Sequence, residues 1–216
     1  MHTLRSIFII TLISLTMLVC SCGTQQQEPI DFGKFENNVY SNNYFNMHIS
    51  IPQSWYVMDD EVRIELMKKA VKTVVGDNEN LQAVAKASDL KNLSLILASE
   101  KPPGASVGSN PSLLVMAEKV KHLPGMKRGS DYHFTTKKIF EKSAVKPSYP
   151  KKIYETSIGS LNFDVLEITF EMGQTQYFQK QFAAIYKDYA LLIALNYRNE
   201  ADLKKLEEVL QAVTFN

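Results

Sequence analysis

Apolar positions recur with two different periods along this chain, and the switches between them mark its elements. Phe45, Met47, Ile49 and Ile51 alternate with polar residues, the signature of a half-buried strand, and Pro52 ends it. Asp59-Asp60-Glu61 then places acids where a helix N-terminus favours them. Val62, Leu66, Ala70 and Val74, with Met67 and Val71 beside them, form a helical stripe that stops at Gly76. A short helix is expected over 79–87. Leu93 to Ala98 reads as a buried strand, and Leu113 to Lys119 as another on account of its length. Ser130-Asp131 predicts a helix start and cap, with Tyr132, Phe134, Ile139 and Phe140 on the apolar face. Residues 144–152, carrying Pro147 and Pro150, form a loop.

The last third is the most regular. Segments 153–158, 161–171, 175–186 and 189–197 read as four strands of a meander, punctuated by Gly159-Ser160, Gly173 and Lys187-Asp188. Tyr189, Leu191, Ile193, Leu195 and Tyr197 alternate in the fourth, while Ala190, Leu192 and Ala194 fill its other face. A strand apolar on both faces is central and covered on both. Asn199 caps a final helix with Asp202 at its third position, close to a capping box. Leu203, Leu206, Val209, Leu210 and Val213 make that helix's stripe. The fold class that follows is α+β, a mainly antiparallel sheet flanked by helices.

The N-terminal segment follows other rules. Arg5 precedes an apolar run from Ile7 to Cys20, which is too short to persist as a membrane span and has the layout of a secretory signal. Its end, Val19-Cys20-Ser21-Cys22-Gly23, resembles the lipobox of bacterial lipoprotein precursors. The resemblance implies removal of residues 1–21, a diacylglyceryl thioether on Cys22, and further acylation such as palmitate on the new amine. Residues 22–38 are then a polar tether and residues 39–216 the folded domain. Cys20 and Cys22 are the only cysteines, so that domain is expected to have neither a disulfide nor a thiol nucleophile.

Charge narrows the partners. The chain has 24 basic and 23 acidic residues, and residues 1–21 contain Arg5 and no acid. The remainder is therefore neutral overall, which argues against nucleic acid and leaves anchoring to the acyl chains. Gly23 is not the aspartate that retains lipoproteins in the inner membrane, so in a Gram-negative host the outer membrane is expected.

The order of motifs adds a family resemblance. Tyr44-Phe45, Ile51-Pro52-x-x-Trp55, the acidic helix, Asn110-Pro111-Ser112-Leu113 and Leu123-Pro124-Gly125 come in sequence. Ile158-Gly159, Phe163-Asp164-Val165-Leu166-Glu167, Tyr189-Ala190-Leu191 and the C-terminal helix follow. This resembles bacterial PsbP-like lipoproteins across nearly all of residues 40–215. The resemblance implies an α/β/α sandwich and a binding or assembly role, with no catalytic motif to carry over.

Direct search for chemistry turns up little. His48 sits out of phase with its strand's apolar set, His122 is beside Pro124-Gly125, and His133 follows Asp131 without the spacing of a zinc site. Gly108-Ser109-Asn110 and Gly129-Ser130-Asp131 are not nucleophile elbows, and Gly104-x-x-x-Gly108 lacks the lysine of a phosphate loop. Glu167 with Glu171, and Asp59-Asp60-Glu61, are the carboxylates placed to pair as acid and base. The expected site inventory is thus Cys22 for lipidation, with no catalytic residue, metal or cofactor. Tyr40, Tyr44, Phe45, Trp55 and Tyr56 crowd the domain entrance; Tyr177, Phe178, Tyr186, Tyr189 and Tyr197 occupy the last strands. Most belong to the core, with Trp55 under the first helix. Others are placed to rim a groove for peptide, glycan or lipid, with Lys101 to Pro111 as its loop.

The favoured reading is a membrane-anchored binding or assembly module with a protein partner. A carrier would instead enclose an apolar ligand among Met67, Val71, Leu192 and Phe182, and a metal-dependent hydrolase would bring the histidines together with carboxylates.

Overall fold

The computed structural model describes residues 32–77, 79, 82, 92–105, 108–143 and 146–216. Cys22, the segment 1–21, the first part of the tether and most of the helix expected over 79–87 lie outside the described residues.

Two antiparallel sheets and three helices make up the described chain. The small sheet has the order β1-β2-β3-β11, formed by Lys34–Glu36, Val39–Asn42, Met47–Ser50 and Val213–Phe215. The large sheet has the order β4-β5-β6-β10-β9-β8-β7. Its strands are Tyr56–Val57 (β4), Asn92–Ser99 (β5), Ser112–Lys119 (β6), Tyr154–Ile158 (β7), Leu161–Met172 (β8), Thr175–Tyr186 (β9) and Tyr189–Tyr197 (β10). The helices are α1 (Asp60–Val75), α2 (Gly129–Lys142) and α3 (Glu200–Gln211). The expected α+β class and the four-strand meander are both present.

The register of β10 explains why both its faces are apolar. Ile193 pairs with Val115 and Phe182, so these three share one face. The small sheet and α3 cover that face: Phe163 meets Phe215 at 5.9 Å between ring centres, Phe45 meets Tyr189 at 5.7 Å, and Lys180 pairs with Glu207 at 3.0 Å. Leu192 pairs with Met116 and Ala183 on the opposite face, against which α1 and α2 pack.

Several details differ from the sequence reading. The polar tether of residues 22–38 contains β1, which pairs with β2 across Asn37 and Asn38. Both asparagines have positive φ, 52° and 62°, the requirement of a tight primed hairpin turn, so a stretch that looked like linker is turn and strand. Val213 belongs to β11 rather than to the stripe of α3, and pairs with Ile49.

Helix α1 occupies its predicted range and ends at Gly76, but its buried face is not the predicted stripe. Val62 is 48%, Leu66 42% and Val71 37% exposed, whereas Arg63 is 2% exposed. A bulge between Ser94 and Ile96 interrupts the β5–β6 ladder. Arg63 fills that break: its guanidinium donates to the Ser94 carbonyl at 2.9 Å and to Ser94 Oγ at 3.1 Å, and pairs with Asp60 at 2.8 Å. A satisfied guanidinium thus holds the position that periodicity assigned to aliphatic side chains.

Helix α2 differs for a related reason. Phe134, expected on its apolar face, is 57% exposed, and the buried positions are Gly129 and His133. Ser130 is not the cap but lies in the first turn, where its N–H donates to the Asp164 carboxylate at 2.8 Å. Asp131 reaches back to the N–H groups of Lys127 and Arg128, both at 3.0 Å. The helix is capped from the sheet and from within, so its starting N–H groups are satisfied without a serine cap.

Candidate binding groove

Between the ends of β8, β9 and β10 lies a hollow of about 220 Å³. Phe170, Tyr177, Phe178 and Tyr197 supply its aromatic surface, Gln179 and Asn196 its amides, Arg198 a cation, and Gly108-Ser109-Asn110 its rim. Alternation along the strands accounts for the placement. Phe170 pairs with Tyr177 and Gln179 with Asn196, so each pair presents its side chains to one face. Phe178 stacks on its partner Tyr197 with ring centres 5.5 Å apart; by the same alternation this pair lies on the opposite face of the sheet and borders the hollow from there. The Arg198 guanidinium lies 5.3 Å from the centre of the Tyr177 ring, within cation–π range. Tyr177 is 40% exposed despite this contact.

The rim is held in place. Asn110 brackets the loop, accepting from Lys101 N–H at 2.9 Å and donating to the Lys101 carbonyl at 2.8 Å. Ser109 donates to the buried carboxylate of Asp202, which also accepts from Arg198 N–H at 3.2 Å. Asn199 caps α3 as expected, its side chain accepting from Asp202 N–H at 2.9 Å. Asp202 therefore ties the loop, the end of β10 and the start of α3 together. Lys205 adds an ion pair to Glu100 at 2.8 Å.

Beneath the hollow runs a line of amides. Gln181 donates to Gln179, Gln179 to Asn196 at 2.6 Å, and Asn196 to Ser112 Oγ at 3.3 Å. Gln181 is 7% exposed, and its side-chain oxygen has no partner.

A second hollow of about 510 Å³ opens between β7 and α3, lined by Thr156, Ser157, Lys180, Phe182 and Glu207 among others. Near it, Glu167 accepts from the Tyr154 hydroxyl at 2.8 Å and from Lys151 at 3.1 Å. Burial opposes ionisation of Glu167, but Tyr154, Lys151 and the charge of Lys180 outweigh it and hold the carboxyl below its usual range. Burial first, then neighbouring carboxylates, push the Tyr197 hydroxyl up to about 12. Both groups are thereby fixed, Glu167 ionised and Tyr197 neutral. Neither is poised to exchange a proton near neutral pH.

The remaining sequence candidates do not converge. Glu171 is exposed at the hairpin end, four strand residues and so roughly 13 Å from Glu167. Asp59 precedes α1, and Asp60 is engaged with Arg63. His48 is half-buried, 3.5 Å from the Asn216 amide, and His122 is exposed beyond β6. His133 is fully buried, its Nε2 2.9 Å from the Asp164 carbonyl. Among the described residues, no group of three or more His, Cys, Asp or Glu side chains is placed to hold a metal ion. The four residues suggested for a carrier cavity cannot line one space: Phe182 and Leu192 face opposite sides of the sheet, and Val71 is exposed. The half-buried Trp55 borders hollows at the start of α1 and beside α3. Tyr44, Phe45, Tyr186 and Tyr189 form an aromatic cluster. Gly108, Ser109 and Asn110, which border the hollow, belong to the loop Lys101–Pro111 that the sequence suggested as a rim, but the amide line and Arg198 were not foreseen. Their signal was present in Asn196, a polar residue in an otherwise apolar strand, and in Gln179 and Gln181, which share one face of the more polar first half of β9.

Fold and hollow together define an α+β sandwich domain that presents a preformed, aromatic and amide-lined groove. Neither a family model nor a curated protein matches the chain. Among solved structures it is similar to cyanobacterial PsbP from Synechocystis sp. PCC 6803, at 11% identity, covering 92% of this chain and 99% of that one, with a TM-score of 0.45. LpqN, a protein of Mycobacterium tuberculosis involved in cell envelope biogenesis, is similar at 7% identity, over 78% of this chain and 82% of LpqN, with a TM-score of 0.37. A Bacteroides thetaiotaomicron VPI-5482 structure is similar at 10% identity and a TM-score of 0.42; the match covers 79% of this chain and 45% of that one. The PsbP likeness expected from the motif order thus recurs among structural neighbours. At these identities and scores it lends nothing to the chemistry, which rests on the residues above. Among the described residues, no helix is long and apolar enough to cross a membrane.

Proposed function

We propose that this chain is a lipid-anchored, non-enzymatic binding module of the bacterial cell envelope. Residues 1–21 direct export, Cys22 carries the lipid, and the domain offers the Tyr177 groove to a partner outside the membrane. The observation that carries the binding reading is the pinned rim: Asn110 and Asp202 hold the loop over an aromatic floor before any ligand arrives. Preorganisation of this kind lowers the cost of ordering a site on binding. The anchor reading is supported by the Val19-Cys20-Ser21-Cys22 pattern. In a host with two membranes, Gly23 favours the outer one.

A photo-crosslinking amino acid at position 177 of the full chain, expressed in its own envelope, tests this. The expected result is an adduct of defined mass from position 177, absent when the same group stands at exposed Val62, and reduced when Cys22→Ser releases the protein from the membrane. Equal labelling from both positions, or labelling indifferent to the anchor, would overturn it.

A further inference from the structure

We propose that the groove recognises a carboxylate-bearing saccharide unit; this rests on the binding reading above and names its ligand class. Four features converge. At about 220 Å³ the hollow falls below the roughly 300 Å³ at which drug-sized pockets begin, and so suits a single ring rather than an extended apolar chain. Its floor on the face of Gln179 and Asn196 is made by Phe170 and the accessible Tyr177, and a pyranose ring has an apolar face of C–H groups that lies flat on such a surface.

The edge of the same ring carries hydroxyls, which need donors and acceptors. Each amide in the line from Gln181 to Ser112 spends one of its two N–H donors on the next acceptor. Gln179 and Asn196, which line the hollow, each keep a second donor. The buried Gln181 oxygen lacks a partner, so the line can polarise or shift when a ligand hydroxyl joins its outer end. An apolar ligand would leave these amides unmatched, which is why a lipid tail is disfavoured.

Charge completes the assignment. Arg198 has no carboxylate within ion-pair distance among the described residues, and its guanidinium rests on Tyr177 at the mouth of the hollow. The nearby acid Asp202 is committed to the Ser109 hydroxyl and to the Arg198 backbone N–H. A planar fork of donors above an aromatic floor matches a ring that bears a carboxylate. An adjoining open hollow shares Phe178 and Arg198 and is otherwise lined by Glu171, Gly173, Gln174, Thr175 and Gln176, giving room for the next unit of a chain.

The test uses the full-length chain in detergent against immobilised hexuronate, sialylated and muramyl oligosaccharides, each beside its methyl ester. At least one acid should bind tenfold or more tightly than its ester. Tyr177→Ala should lower binding of acid and ester alike, whereas Arg198→Gln should abolish the preference for acid over ester. Retention of no acid above its ester, or a preference that survives Arg198→Gln, would overturn the proposal. A position-177 adduct with a protein and no saccharide binding would also overturn it, while leaving the binding-module reading intact.

Discussion

Replacing Gly129 by alanine introduces one methyl group at the tightest point between α2 and the sheet. The added Cβ would stand 1.9 Å from the Ala183 carbonyl oxygen and 3.1 Å from the Asp164 Cβ. Ordinary contact begins near 3.5 Å, so the start of α2 must withdraw by roughly 1.5 Å. That displacement stretches two hydrogen bonds past their limit: Ser130 N–H to the Asp164 carboxylate, now 2.8 Å, and His133 Nε2–H to the Asp164 carbonyl, now 2.9 Å. Each leaves a buried polar group unmatched, at about 1.5–3 kcal/mol. Alanine returns about 1 kcal/mol of helix propensity, for a net loss of about 2–5 kcal/mol. Urea unfolding of the full chain in detergent, followed by circular dichroism, measures this. Gly125→Ala is the control, because its Cβ would meet nothing within 4 Å, and it should stay within about 0.5 kcal/mol of wild type. A Gly129→Ala protein as stable as that control would refute the reasoning.

The buried His133 should make stability depend on pH. Desolvation, aided by the charge of Lys137, lowers its pKa despite the opposing effect of the Asp164 carbonyl and carboxylate. The unfolded chain therefore takes up the proton first, and stability falls as pH drops below about 6.5, by up to about 1.4 kcal/mol per unit. His133→Gln should flatten this slope between pH 6.5 and 5 in urea titrations; an unchanged slope would remove His133 as its source. Leu66→Gln separates the observed α1 face from the periodic stripe. An exposed site predicts a change within about 0.5 kcal/mol, a core site a loss of several. Arg63→Leu should cost about 2–3 kcal/mol in the same assay, because the Ser94 carbonyl loses its partner at the bulge; a neutral result would contradict that role.

The meander was legible because its strands alternate and its turns carry glycine or paired residues that accept positive φ, as at Lys187 and Asp188, with φ of 49° and 70°. Helix ranges were legible from acids at their starts and from Gly76, yet helix faces were not. Periodicity counts apolar side chains and cannot see that a bulge at Ser94 demands a donor or that the sheet approaches α2 at a glycine. The strand Val213–Phe215 was hidden because Val213 falls in phase with the α3 stripe, and the register with β3 is set by a segment far away in sequence. The groove was half legible. Aromatics and the proline-rich loop marked its materials, but the convergence of Gln179, Asn196 and Arg198 depends on antiparallel pairing across β8, β9 and β10.

The most direct test of a lipid-anchored module is the intact mass of the protein extracted from its own membranes. The account predicts a chain beginning at Cys22 and heavier than the peptide by a diacylglyceryl group, with or without an N-acyl chain, and recovered in the membrane fraction only. A chain that retains residues 1–21, or a free Cys22 thiol on protein in the soluble fraction, would contradict it.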